Sequence, residues 1–311
     1  MLRIATFLKN YFVSSVKLAF SHYFWSCLPY SLFLLIPDQI YSLGRKPRNR
    51  DAFISIVGMF CRNIKIFKVG SSWLVNLGRV KFEVPHLTNE LLEIGCNFFN
   101  GCPRQLVKSL EIPFIFEGPY LTSNISFNEG DCVLDIGASL GIFSVFAARA
   151  IGPTGQVLAF EPNDLVAKIM RRNFEINQIN NVKIINTVLT DKFGDIDFTV
   201  DLNGAQGSSS IFPIKSAHTK LIKARQETLD SLIAQHNIQR VDFIKADIEG
   251  AERLMLKGAE QTIKRFKPTI AIRIYHLPDD PEIIEAMLKE FVPEYKIEKF
   301  GRKTLYAYLP K

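Results

Sequence analysis

With 311 residues, 47% of them apolar, the chain can bury a sizeable core, and wholesale disorder is excluded. The formal net charge of +7 belongs to the first third: residues 1–113 hold 14 Lys/Arg against 6 Asp/Glu, a balance of +8, and residues 114–311 hold 24 against 25, a balance of −1. The five cysteines (Cys27, Cys61, Cys96, Cys102, Cys132) form no CxxC pair and no zinc-spaced Cys/His cluster, which argues against a disulfide framework and for a reducing compartment.

Residues 1–113 read as a basic, mostly helical region. The run Leu18–Pro37 contains no Asp, Glu, Lys or Arg. Its length touches the threshold for spanning a bilayer, but His22, Pro29 and several serines stand against a span. A membrane-surface helix or hairpin, or a helical cap buried on the rest of the protein, fits the same residues. Arg45, Lys46, Arg48 and Arg50 follow directly and suit either a solvated face or anionic lipid headgroups. The stretch 67–84 has room for a short hairpin around Gly70 or Gly78.

From residue 114 strands and helices alternate. "DCVLDIGA" ends a strand, with Cys132 as a small core residue, and "GIFSVFAARAIG" is a helix stopped by Gly152-Pro153. "GQVLAFEPN" is a second buried strand. "DLVAKIMRRNFEINQI" is an amphipathic helix with Val166, Ile169, Met170 and Phe174 at helical spacing. "NVKIINTVLT" is a third strand and "GDIDFTVDLNG" an added one, followed by the polar loop "AQGSSS", a candidate lid or acceptor wall. "TLDSLIAQHNI" is a helix started by Thr or Asp. "VDFIKAD" is a fourth strand, "GAERLMLKGAEQTIKRF" one helix, and "PTIAIRIYH" a fifth strand. A helix over 281–291 and a closing pair joined at Gly301 complete the chain. This order predicts an α/β fold with helices on both faces of a doubly wound, seven-stranded, mostly parallel sheet. The final connection is too short for a crossover, so the last strand is antiparallel.

In such sheets ligands bind beyond the carboxyl ends of the strands, near the switch point. Gly137 and Gly141 stand at the first strand end, where glycine lets the backbone approach a ligand. A side chain at Gly137 is expected to intrude on that ligand. The pattern is neither GxGxxG nor a P-loop. Glu161, twenty residues past Gly141, ends the second strand and can accept from both hydroxyls of an unphosphorylated ribose. Thr190-Asp191 is placed at the third strand end, within reach of an adenine amino edge.

The segments "VLDIGASLGIFS", "AFEPN", "TLDSL" and "VDFIKADIEGAE" resemble the FkbM-like family of S-adenosylmethionine-dependent methyltransferases over about residues 115–295. The resemblance implies a class I, Rossmann-like methyltransferase domain at 114–311. It places Asp135, Gly137, Ala138 and Gly141 around the methionine end of S-adenosylmethionine, Glu161 on the ribose, Asn163 within the same motif, and Asp191 by the adenine. The activities it implies are O-methylations of sugars, glycans and related natural products.

"KADIEGAE" brings Lys245, Asp247, Glu249 and Glu252 to the fourth strand end. The cofactor carries a sulfonium and an ammonium, so carboxylates are expected there. Methyl transfer is an in-line displacement, governed by positioning, and a base helps a weakly nucleophilic alcohol. Asp247, Glu249 and His276 are the catalytic candidates. Asp247 goes mainly to the cofactor, Glu249 to holding or deprotonating the acceptor, and the ordinary pKa of His276 suits a base near neutral pH. Glu252 reads as a charge at a helix N-terminus, and Lys245 as an ion pair or a substrate ligand. Asp247, Glu249 and His276 are hard or borderline metal ligands, but no metal is assigned, because the fifth strand ends in Arg273-Ile274-Tyr275-His276 rather than an acidic pair.

The leading reading is therefore an S-adenosylmethionine-dependent O-methyltransferase with a hydroxyl-bearing acceptor, a sugar or glycan. It would be cytoplasmic, with membrane-surface contact through residues 18–50. Its rivals are an RNA methyltransferase using the basic N-terminal region, a non-catalytic cofactor-binding protein, and an NAD-dependent dehydrogenase. Missing [ND]PPY and Pro-Cys motifs weigh against a nucleic-acid partner, and the missing third glycine against NAD.

Overall fold

A computed structural model describes residues 65–70, 72–76, 80–85, 120–122, 124–201, 209–212 and 219–310. Leu18–Pro37, the cluster Arg45–Arg50, four of the five cysteines and residues 204–208 of the polar loop lie outside the described residues. No helix among the described residues is long and apolar enough to cross a membrane. By contacts the chain divides into two units, residues 1–65 with 99–115, and residues 66–98 with 116–311.

The second unit is built on a seven-stranded sheet. Its strands are β4 (Cys132–Ile136), β5 (Gln156–Phe160), β6 (Val182–Ile185), β10 (Phe243–Ala246), β11 (Thr269–Arg273), β12 (Lys296–Phe300) and β13 (Thr304–Tyr308). They lie in the order β12-β13-β11-β10-β4-β5-β6. β6, β5, β4, β10 and β11 are parallel, and the closing hairpin β12–β13 joins them antiparallel through β13. The chain therefore starts at the centre, winds outward to β6, and returns to start again at β10. The switch point falls between β4 and β10, as expected. Central strands covered on both faces must be apolar throughout. β4 and β10 are buried at every residue, whereas the edge strands β6 and β12 are not.

Helices α1 (Ile142–Ala150), α2 (Asp164–Ile176), α3 (Leu229–Gln235), α4 (Glu252–Lys257), α5 (Glu260–Phe266) and α6 (Asp280–Phe291) pack against the sheet. One core holds Leu134, Ile136, Ile244, Met255, Ile263, Ile272 and Leu288. The other holds Val133, Phe143, Ala147, Val157, Phe243 and Tyr306. Because side chains alternate along a strand, successive residues of β4 serve opposite cores. Cys132 is buried, and burial lifts its thiol to about 11, which suits the core role expected of it.

Several elements depart from expectation. The single helix expected over 250–266 is two, broken at Gly258-Ala259, because Gly258 packs on the Thr190 carbonyl so closely that a Cβ there would lie 2.0 Å from it. The third strand also divides, into β6 and a two-residue β7 (Val188–Leu189). β7 joins the added strand β8 (Gly194–Asp201) and an unexpected strand, β9 (Thr219–Glu227), in a separate sheet ordered β7-β9-β8. β9 alternates exposed and half-buried residues, a weak signal beside the long runs of the main sheet.

Strands β1 (Lys65–Val69), β2 (Ser72–Asn76) and β3 (Lys81–Val84) form a meander, with Gly70 at positive φ in its first turn. Its outer strand is held by two asparagines one turn apart, Asn173 on α2 and Asn177 at its C-cap. Asn173 accepts from the Glu83 N–H at 2.6 Å and donates to the carbonyls of Glu83 and Leu140. Asn177 accepts from the Lys81 N–H at 3.0 Å and also donates to the Lys81 carbonyl. Side-chain amides thus do for β3 what a neighbouring strand would do. Replacing Asn173 by Ala strands three buried backbone groups, and should lower stability by about 2–3 kcal/mol in urea unfolding, more than Asn177→Ala.

Candidate active site

The first strand runs out at Asp135-Ile136, and the chain turns through Gly137 at φ 77°. The Gly137 and Ala138 N–H groups both donate to the Phe160 carbonyl, which fastens the turn to β5. Asp135 and Lys245 are direct partners in the β4–β10 register. Their side chains form a buried ion pair at 3.0 Å, Lys245 Nζ also donates to the Gly137 carbonyl at 2.6 Å, and Asp135 accepts from the Ser144 hydroxyl of α1. Lys245 is thereby a structural clamp.

Both glycines take the positive φ expected of them, 77° and 76°, and both also answer a packing constraint. A Cβ on Gly137 would lie 1.9 Å from the Asp247 carbonyl oxygen, and one on Gly141 would lie 2.6–2.7 Å from Phe174 and Met170 of α2. Both positions are closed by the protein's own atoms. The intrusion expected at Gly137 is thus on the β10 strand end. Ser139, between them, holds φ 49° and donates its N–H to Glu161 Oε2 at 3.0 Å.

Glu161 sits at the end of β5 where the sequence places it. Its other oxygen accepts from the Asn163 N–H at 2.9 Å. Burial raises its pKa to about 7 against the lowering effect of those two hydrogen bonds and of Lys245. A buried carboxylate held at a strand end, with lone pairs left for further donors, fits the two hydroxyls of a ribose. Asn163 caps α2: its side-chain oxygen accepts from the Leu165 N–H, and its amide donates to Ser209. Asp191 departs from expectation. It lies beyond β7 in the small sheet, with its Cα 3.3 Å from where a Gly258 Cβ would be. Among the described residues no hydrogen bond or ion pair joins it to Glu161 or Asn163. The polar groups following β6 are Asn186 and Thr187, and Asn186 donates to Asp164 at 2.8 Å, beside the β5 end. The division of the third strand hid them from sequence reasoning.

At the β10 end the three catalytic candidates do come together. Asp247 Oδ2 accepts from the Tyr120 hydroxyl at 2.9 Å and lies 3.4 Å from Arg273 Nε. Burial pushes the Asp247 carboxyl up, but Arg273, Lys245, His276 and Tyr120 outweigh it and leave it below the usual carboxylate range. Tyr120 and Arg273 are contributors that sequence reasoning missed, and Arg273 stacks on the Tyr120 ring at 4.3 Å. Glu249 is held at φ 54°, an unfavourable conformation for a residue with a side chain. Its carbonyl accepts from Ser210 Oγ at 3.0 Å, so the downstream end of the "AQGSSS" loop borders the site. His276 Nε2 faces Glu249 Oε2 at 3.5 Å and Asp247 Oδ1 at 3.8 Å, and Nδ1 lies 3.0 Å from Glu252 Oε1. Burial alone would lower the His276 pKa; the nearby carboxylates of Glu249, Glu252 and Asp247 reverse this and lift it to about 10. The ordinary value assumed from sequence does not apply, and with only protein around it this ring keeps its proton at neutral pH. Glu252 is buried and accepts from the Ile248 N–H, a tie to the turn preceding α4 that its placement at a helix N-terminus anticipated.

A doubly wound sheet with a buried carboxylate at the second strand end and an acidic cluster at the fourth defines a nucleoside-binding transferase site. The family profile described as "Methyltransferase FkbM domain" matches residues 135–296, just over half of the chain. The chain belongs to this family and is an S-adenosylmethionine-dependent methyltransferase. It is 24% identical over 187 residues to methyltransferase sdnD of Sordaria araneosa, covering 51% of this chain and 71% of that protein. It is 24% identical over 174 residues to the hexuronic acid methyltransferase AglP of Haloferax volcanii, covering 56% and 68%. Among solved structures it is similar to the methyltransferase FkbM of Methylobacillus flagellatus KT, with 20% identity and a TM-score of 0.46, over 70% of this chain and 53% of that one.

Two outcomes are expected. Gly137→Ala should destabilise the fold in thermal unfolding, since it drives a Cβ into backbone rather than into open space. Glu161 gives a pH dependence. Its folded pKa of about 7 lies above the ordinary carboxyl value of 4.5, so the native state holds the proton more tightly than the unfolded chain. Its contribution is fully present below pH 4.5 and is lost as pH rises through 7. Comparing unfolding free energies at low and neutral pH should show this loss in the wild type and not in Glu161→Gln.

Proposed function

We propose that the protein transfers a methyl group from S-adenosylmethionine to a hydroxyl of a sugar, glycan or related natural product. The cofactor supplies an electrophilic methyl on a sulfonium. Glu161 would accept from the ribose hydroxyls, Asp247 would face the cationic methionine end, and the turn 137–141 would form the floor between them.

The observation that carries the acceptor chemistry is the difference in exposure within the acidic cluster. The Glu249 side chain is 31% exposed, while that of Glu252 is 1%. Glu249 is thus open to an incoming molecule, and His276 holds it on one side. A carboxylate in that position can orient a hydroxyl and take its proton as the oxygen attacks. His276, protonated in this setting, serves as a positive partner for the carboxylates. The hexuronic acid methyltransferase among the relatives supports a sugar acceptor.

Glu161→Ala should weaken S-adenosylmethionine binding by about 2–3 kcal/mol in calorimetry, because two ribose hydroxyls lose a buried acceptor. Glu249→Gln should leave that binding within a few-fold and lower turnover by about 10²-fold or more, read as S-adenosylhomocysteine release with a panel of sugars and uronic acids. No release with any hydroxyl-bearing acceptor, from protein that binds the cofactor, would sink the acceptor assignment.

A further inference from the structure

We propose that Asp247, Glu249 and His276 bind a divalent first-row transition-metal cation through Oδ1, Oε2 and Nε2, on the side where the acceptor hydroxyl enters. That last clause rests on the methyl-transfer reading; the cation site does not. The three donor atoms all lie within 4.8 Å of one another. His276 Nε2 is 3.5 Å from Glu249 Oε2 and 3.8 Å from Asp247 Oδ1. These separations are long for hydrogen bonds. They suit atoms sharing an ion, since metal–ligand bonds of about 2.1 Å hold neighbouring ligands roughly 3–3.5 Å apart.

A second observation is independent of that spacing. Asp247 Oδ1 and both ring nitrogens of His276 are fully buried, and none of these atoms makes a hydrogen bond of normal geometry. The His276 side chain is 9% exposed, so an ordinary surface water does not account for its partner. Buried polar atoms left unmade are expensive, and two of them facing one gap indicate a missing partner that both can bind. The other oxygen of Asp247 is engaged by Tyr120 and Arg273, which leaves Oδ1 directed to the gap. Glu252 Oε1 lies 3.0 Å from Nδ1 on the other side of the ring, which leaves Nε2 as the nitrogen facing the gap. A carboxylate behind a ligating histidine is the usual support for a metal-bound imidazole.

The charges agree. Lys245 is offset by Asp135, and Arg273 by Asp247. Glu249 and Glu252 then remain, two negative charges that a singly protonated ring offsets only in part and that a dication, taking the place of the Nε2 proton, balances. Two carboxylates and one imidazole are ligands for Mn²⁺, Fe²⁺ or Zn²⁺ rather than Ca²⁺. Three ligands from one side leave coordination positions for an acceptor oxygen, whose proton the ion would make easier to remove. Arg273, which stands where an acidic pair was sought in the sequence, does not block the site, because it occupies the far oxygen of Asp247.

The test uses the full-length chain stripped with chelator and titrated with Mn²⁺, without cofactor or acceptor, while the electron paramagnetic resonance signal of free Mn²⁺ is followed. One saturable ion per chain is expected. Glu249→Gln and His276→Ala should each weaken it at least ten-fold, in protein whose circular dichroism matches the wild type. Glu249→Gln removes a partly exposed charge and keeps the shape, so it serves even where the histidine variant misfolds. The exposed Glu290→Gln should bind as wild type. Absence of saturable binding up to millimolar Mn²⁺, or binding indifferent to Glu249→Gln, overturns the site. Methyl transfer undiminished by chelator would overturn the ion's role beside the acceptor hydroxyl while leaving the methyltransferase reading intact. Mn²⁺ binding without methyl transfer to any hydroxyl would instead fault the acceptor reading.

Discussion

The buried ion pair between Lys245 and Asp135 is the interaction on which the rest of this site depends. It joins the two central strands at the point where the chain reverses its winding. The same ammonium also holds the Gly137 carbonyl, and Asp135 also holds α1 through Ser144. Taking two charges out of water is costly, and this pair is sustained by hydrogen bonds to a backbone carbonyl and a hydroxyl. Removing one partner would leave an uncompensated charge in the centre of the sheet. The pair therefore keeps the first turn, the β10 end and the start of α1 in a single geometry.

From that clamp the site spreads in two directions. Toward β5 lies Glu161, gripped by the N–H groups of Ser139 and Asn163, so this buried carboxylate is positioned by the turn it faces. Toward β11 lies the cluster of Asp247, Glu249, Glu252 and His276, where carboxylates outnumber the single ring. The closeness of Gly137 to the Asp247 carbonyl links the halves, since neither strand end can move without the other. The two glycines thus act through packing. Their absent side chains let strand ends and helices meet.

The second unit is more than a sheet with helices. Asn173 and Asn177 attach the meander β1–β3 to α2 by imitating a strand edge, and Asn173 reaches the Leu140 carbonyl in the turn as well. Residues preceding the matched family region are in this way connected to the turn that bears the site. The small sheet β7-β9-β8 leads into the Ser209-Ser210 segment, which touches Asn163 on one side and Glu249 on the other.

By itself the sequence determined the doubly wound sheet, its switch point, the antiparallel closing hairpin, and the placing of Asp135, Glu161, Asp247, Glu249 and His276 at strand ends. These follow from continuous apolar runs and from turn residues that end them, which are local properties. The tertiary structure alone decided the rest. Asp191 left the β6 end because the close packing of Thr190 on Gly258 carries that segment into another sheet. β9 escaped notice because a half-exposed strand has little apolar contrast. Asn163 became a cap, and Tyr120 and Arg273 became partners of Asp247, through contacts between residues as much as 127 apart in the chain. The basicity of His276 was likewise invisible, because a pKa is set by which charges lie within a few ångströms in space. Spacing along the chain records which residues share an element; only packing records which charges and hydrogen-bonding groups share a pocket.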